Sequence, residues 1–274
     1  MPTLSWYPLH WIQLILDGER NFADVCDRAA RWKISTLELY DGLLEPLGPL
    51  SPTAARQALD AAGIGVSVLL CAPDLASPQQ TEREEQVKIM EQYLDTAALL
   101  GARAVRITPG IIHSGITRPD AVRLAAEHLQ TLAEKAGERG LAVCVENVIQ
   151  DSRWHAADVS APAATFRSLL ERLADSPYQV ILNTGNPALV MTDTLSVLSA
   201  IPDGKLYGIH LSERSTIDGA HRSLGDEEMS WDPLREALHT RGFDGHMGIL
   251  DGQAEGDGGT LRSLLWAREW LEGW

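Results

Sequence analysis

Glu146, Asn183, His210 and Asp251 are separated by 37, 27 and 41 residues. Each stands within one residue of the end of a short apolar run: "AVCVE" (142–146), "QVILN" (179–183), "LYGIHL" (206–211) and "HMGIL" (246–250). Each interval is about one strand plus one helix long. If the runs are neighbouring strands, the four side chains stand side by side at one end of a sheet. Carboxylate, amide, imidazole and carboxylate are hard to borderline donors, a set that suits Mn²⁺, Mg²⁺, Co²⁺ or Zn²⁺ rather than a soft metal. Taken singly, each has an ordinary explanation. A Glu ending a strand pairs or caps, a His in "YGIHLS" packs, and an Asp before Gly turns the chain. Their coincidence on successive runs is what points to a site.

The elements that must position them recur along the whole chain. Eight short apolar runs occur, the other four being "LSWYPL" (4–9), "TLEL" (36–39), "VSVLLC" (66–71) and "AVRIT" (104–108). They are scarcely interrupted by polar residues, as parallel strands covered on both sides require. Amphipathic stretches lie between them. "ADVCDRAARWK" aligns Val25, Ala29 and Trp32, and "REEQVKIMEQYLDTAALLG" aligns Val87, Met90, Leu94 and Ala97. Ser51 followed by Pro52 reads as an N-cap and first helical position. Strand and helix alternating eight times predict an α/β fold, a (β/α)₈ TIM barrel forming a single domain over 1–274. A doubly wound open sheet is the rival, but no Gly-x-Gly-x-x-Gly follows the first run. "DGQAEGDGG" (251–259) reads as a solvated loop, with a flap beside the site as the alternative. Trp266, Trp270 and Trp274 recur every four residues, a packing stripe or else a subunit interface in a homo-oligomer.

Bulk composition narrows the function. The 23 basic and 38 acidic residues leave a net charge of −15, which repels nucleic acid and anionic membrane surfaces. Cys26, Cys71 and Cys144 form no Cys-x-x-Cys pair and lie in apolar surroundings, which predicts reduced thiols in a cytoplasmic protein. The N-terminus lacks the basic region and cleavage site of a signal peptide. No apolar run is long enough to span a bilayer.

The segment from "GIHLSERS" (208–215) through "LGDEEMSW" (224–231) and "RGFDG" (241–245) to Asp251 resembles the C-terminal portion of the sugar phosphate isomerase/epimerase family, the xylose isomerase-like TIM barrels. "LAVCVENV" and "ILNTGNPA" are similar to that family's fifth and sixth strands, so the resemblance covers essentially the whole chain. It implies a divalent metal held by Glu146, Asn183, His210 and Asp251. It also implies a proton-shuttling pair, Glu146 and Asp251, acting on a small carbohydrate. Asn183 stands where the family usually has Asp, and Asp251 where it has Glu. Trp154, His155, Asn186, Arg214 and His221 match regions where the family contacts substrate. Glu213 stands close enough in sequence to orient His210 as a hydrogen-bond acceptor.

The activity this implies is a metal-dependent isomerase or epimerase of a sugar, keto-sugar or cyclitol, working through an enediolate. A lyase or dehydratase on the same barrel shares the first proton abstraction. An accessory barrel with a degraded metal site is the non-catalytic alternative, motivated by Asn183 and Asp251. DNA repair, which this barrel type also supports, is opposed by the charge.

Overall fold

In the computed structural model the described residues are 2–151, 153–226, 229–250 and 255–274. Every apolar run of the sequence forms a strand. They are β1 (Thr3–Tyr7), β2 (Thr36–Tyr40), β3 (Gly65–Cys71), β4 (Ala104–Ile107), β5 (Ala142–Glu146), β6 (Tyr178–Asn183) and β7 (Leu206–Leu211). Two short pieces, β8 (Glu213–Arg214) and β9 (His221–Arg222), precede the last, β10 (His246–Leu250). The eight long strands close into a barrel in the order β1-β10-β7-β6-β5-β4-β3-β2. The strands pair in parallel, for example Ser5 with Gly248 and Gly248 with His210. The fold is a TIM barrel, with helices between the strands.

The helices are α1 (Leu9–Leu16), α2 (Phe22–Arg31), α3 (Pro52–Ala62), α4 (Gln80–Leu100), α5 (Arg118–Gly137) and α6 (Ala163–Arg172). Then come α7 (Asn186–Leu189), α8 (Thr194–Ala200), α9 (Trp231–Thr240) and α10 (Gly256–Glu272). Their faces follow the sequence periodicity. Val25 and Ala29 of α2 are buried, as are Met90, Leu94 and Ala97 of α4. Asn21 and Asp24 form a reciprocal capping box at the start of α2. The Ser51 hydroxyl accepts from the Ala54 amide, the capping bond expected there.

Three elements depart from the sequence reading. The first strand ends at Tyr7, and Pro8 opens a helix that carries His10 and Trp11. The antiparallel β8–β9 pair interrupts the connection after β7. The tail of the glycine-rich segment is helical from Gly256, because Asp257 gathers His10, Trp11 and Arg28 onto one carboxylate. Residues 251–254, including Asp251, lie outside the described residues.

Contacts gather the chain into two compact units, one of Met1–Glu38, Ala58–Gly65 and Leu182–Trp274, the other of Leu39–Gln57 and Val66–Ile181. In the first unit, the tryptophan stripe of α10 packs on α9. Trp266 and Trp270 stack with centroids 5.8 Å apart, and Trp231 lies 4.6 Å from Trp266. Cys26, Cys71 and Cys144 are buried thiols outside any disulfide. Among the described residues, no helix is long and apolar enough to cross a membrane.

Candidate active site

In the first unit, His210 is 1% exposed and lies next to last on β7. Its Nε2 is 2.9 Å from Glu38 Oε2. Glu38, on β2, is fully buried and shared: its Oε1 lies 2.7 Å from His246 Nε2 and accepts from the Ser5 hydroxyl at 2.9 Å. Burial alone would raise this carboxyl. The His210 and His246 imidazoles outweigh it and hold the group well below the usual carboxylate range. Gly248 makes room for the arrangement, since a Cβ there would stand 1.8 Å from Glu38 Oε1. A carboxylate on Nε2 fixes the imidazole's tautomer and orientation, and leaves Nδ1 as the nitrogen suited to coordination.

Asn183 ends β6, and its side-chain oxygen accepts from the amides of Gly185 and Asn186, both at 3.1 Å. This Asx turn is why the strand stops and α7 starts there. Thr184 then ties β6 to β7. Its hydroxyl donates to the Ser212 carbonyl at 2.7 Å and accepts from the Ser212 amide at 2.9 Å. Asn186 Oδ1 accepts from Arg214 Nη1 at 2.9 Å, while Arg214 Nε and Nη2 both donate to the Gly219 carbonyl. His221 Nδ1 lies 3.0 Å from the Ser212 hydroxyl. Glu213 Oε1 accepts from Trp231 Nε1 at 2.6 Å. The carboxylate found against the Nε2 of His210 is thus Glu38, far earlier in the chain.

In the second unit, Glu146 ends β5 and is 3% exposed. Its Oε2 lies 3.0 Å from Nε of Arg106, a buried residue of β4. Arg106 Nη1 also donates to the Cys71 carbonyl at 3.2 Å and lies 3.7 Å from Asp151 Oδ2. Asp151 in turn accepts from the Tyr40 hydroxyl at 3.0 Å. Arg153 pairs with Asp41 and donates to the Ala72 carbonyl, which also accepts from Trp154 Nε1 at 3.0 Å. Trp154 therefore anchors the loop after β5, whereas His155 is exposed on it. Asp158 is pushed up to about 7 by burial, against the Ser160 hydroxyl and amide that bond it.

Arg106 and Glu38 stand near strand ends in the sequence, whereas Asp151 and Asp41 lie in the connections, which strand-end spacing does not mark. The signal for two of them was present in the sequence: Arg106 and Glu38 are charged residues inside otherwise apolar strands, and buried charge needs a partner.

A divalent metal can be tested against these donors. His210, oriented by Glu38, and the oxygens of Glu146 and Asn183 are of the right chemical type for a hard or borderline cation. Glu146 is already paired with Arg106, and the Asn183 oxygen already receives two amides. Among the described residues, no group of three or more His, Cys, Asp or Glu is arranged to hold a metal ion. By type alone these donors suit such a cation, and Asp251 lies outside the described residues.

Comparison with solved structures returns the same barrel. A D-psicose 3-epimerase with D-tagatose from Clostridium cellulolyticum H10 is 14% identical, covering 98% of both chains with a TM-score of 0.76. A 3-keto-D-glucoside 4-epimerase from E. coli is 16% identical, covering 98% of this chain and all of that one, TM-score 0.75. An AP endonuclease of family 2 from Brucella melitensis is 18% identical, covering 98% of this chain and 99% of that one, TM-score 0.72. At such identities the likeness is one of fold. No curated protein matches. The family model described as xylose isomerase-like TIM barrel matches residues 26–270. The chain belongs to the xylose isomerase-like TIM barrel family.

Proposed function

We propose that this protein is an isomerase or epimerase of a small carbohydrate, acting by proton abstraction next to a carbonyl. The observation that carries the reading is Glu146, a buried carboxylate at the C-terminal end of β5, with Arg106 held against it. Active sites of TIM barrels lie at the C-terminal ends of the strands. A buried ion pair there is costly to build and adds little stability, which favours a chemical use. Two proteins of like fold, a 3-epimerase and a 4-epimerase of sugars, support the substrate class.

In this reading Glu146 takes the proton from the carbon beside the carbonyl. Asp251 returns one, at the opposite face for epimerisation or at the neighbouring carbon for isomerisation. Arg106 fixes the Glu146 carboxylate in place, and Trp154 anchors the loop beside it. Asn186 and Arg214 supply acceptor and donor groups for substrate hydroxyls, with His155 and His221 as further polar contacts. A divalent cation, when bound by Glu146, Asn183, His210 and Asp251, would polarise the carbonyl oxygen. Glu38 holds His210 in the orientation such a ligand needs.

The test is deuterium uptake from D₂O into ketohexoses and ketopentoses, followed by proton NMR with Mn²⁺ supplied. Wild type should exchange the hydrogen next to the carbonyl, and Glu146→Gln should lower the rate by roughly 10²-fold or more. No exchange on any ketose, or full exchange by E146Q, would remove the reading. Loss of water from the product would move it to the lyase alternative.

A further inference from the structure

Arg214 is a half-buried cation held only by neutral oxygens. Three of the five guanidinium N–H groups go to the Gly219 carbonyl and the Asn186 amide oxygen. That leaves one N–H on each terminal nitrogen without an acceptor among the described residues. Burial lowers its pKa, and no acidic group offsets the shift. An arginine needed only for structure is usually placed against a carboxylate, because an uncompensated buried charge is expensive.

Arg214 lines a cleft of about 880 Å³ in the first unit, a volume suited to a small ligand. Thr192, Thr194, Thr216 and Ser230 are hydroxyl residues of the same lining. Asp193, Glu213 and Asp226 also line it, yet none pairs with Arg214. The carboxylate of Asp193 accepts from the Ser196 amide, and that of Glu213 from the Trp231 indole. The cleft thus offers one uncompensated positive charge amid hydroxyls, with carboxylates nearby and a chain charge of −15. A single negative charge matches that balance. A dianion doubles its attraction to Arg214 and its repulsion from Asp193, Glu213 and Asp226 alike, so with three carboxylates to one arginine in the lining the lower charge is favoured.

We infer that the cleft beside Arg214 takes a sugar acid, a polyhydroxylated chain whose carboxylate lies on the guanidinium and whose hydroxyls meet the threonines. This rests on the carbohydrate reading above and names the class of carbohydrate the cleft takes.

The experiment is isothermal titration at low salt with D-gluconate, with D-glucitol, which has a hydroxymethyl group in place of the carboxylate, and with glucose 6-phosphate. Wild type should bind gluconate roughly tenfold or more tightly than glucitol, as expected for a charged hydrogen bond. Added NaCl should shrink that preference. Arg214→Gln should abolish it, and Arg214→Lys, which keeps the charge without the planar fork, should retain part of it. Near-UV circular dichroism checks that each variant is folded, and R214K decides the matter should R214Q not fold. Equal binding of gluconate and glucitol, tighter binding of glucose 6-phosphate, a preference undiminished in R214Q or in R214K, or no gluconate binding at tens of millimolar would each overturn the inference. Because the readout is binding, the two readings fail separately. Gluconate binding without exchange on any ketose would sink only the isomerase reading. Ketose exchange without a preference for the acid would sink only this one.

Discussion

Glu38 and Gly248 are a pair of residues defined by one another. The carboxylate serves His210, His246 and Ser5 because the facing strand carries no side chain where it lies. Gly248→Ala forces a methyl onto Glu38 Oε1 and should cost about 1–3 kcal/mol in urea denaturation. Glu38→Ala removes the obstacle, so the double variant should be more stable than the sum of the two single losses predicts. A strictly additive cycle would mean the two positions do not meet. Asp158 gives a prediction in pH. Unfolded, its carboxyl ionises near 3.9, whereas folded it holds its proton up to about 7. Between those values the native state binds a proton that the unfolded chain has released, so this group's contribution to stability falls as pH rises and levels off above the folded value. Asp158→Asn carries no such penalty. Its advantage over wild type in unfolding free energy should grow from about pH 5 to about pH 8, at most by about 1.4 kcal/mol per unit. A difference independent of pH would show that Asp158 does not titrate in that range.

Among the elements, the β8–β9 pair decides where Arg214 sits. Gly219 closes its turn at φ +71°, and the same residue's carbonyl holds the guanidinium. Gly219→Ala should cost about 1–2 kcal/mol, the penalty of a side chain in the left-handed region. Urea midpoints should fall with an unchanged slope, and an unchanged midpoint would count against the strain. The sequence could not announce this pair, since two-residue strands have no periodicity to read. The long elements were legible for the opposite reason. Eight apolar runs and their amphipathic partners each bury a face, and all eight became barrel strands. Helix α1 was hidden because "LSWYPLHWIQLI" is apolar throughout, so strand and helix carry one signal until Pro8 divides them.

At the scale of the molecule, the barrel was readable from alternation alone, as were the strands that carry Glu146, Asn183 and His210. The interactions that qualify these residues were not. Arg106 meets Glu146 and Glu38 meets His210 across sequence separations of 40 and 172 residues, which no local pattern encodes. The charge of −15 also bears on the whole chain: a likeness in fold to an AP endonuclease does not bring a surface suited to polyanions. The aromatic cluster has a spectroscopic consequence. Four of the eight tryptophans, Trp231, Trp266, Trp270 and Trp274, touch in sequence along α9 and α10. Their coupled transitions will dominate the emission and near-ultraviolet ellipticity of the protein. Trp231 is bonded through its indole nitrogen to Glu213 in the wall of the cleft, so the intrinsic fluorescence doubles as an optical reporter for whatever enters there, with no dye attached.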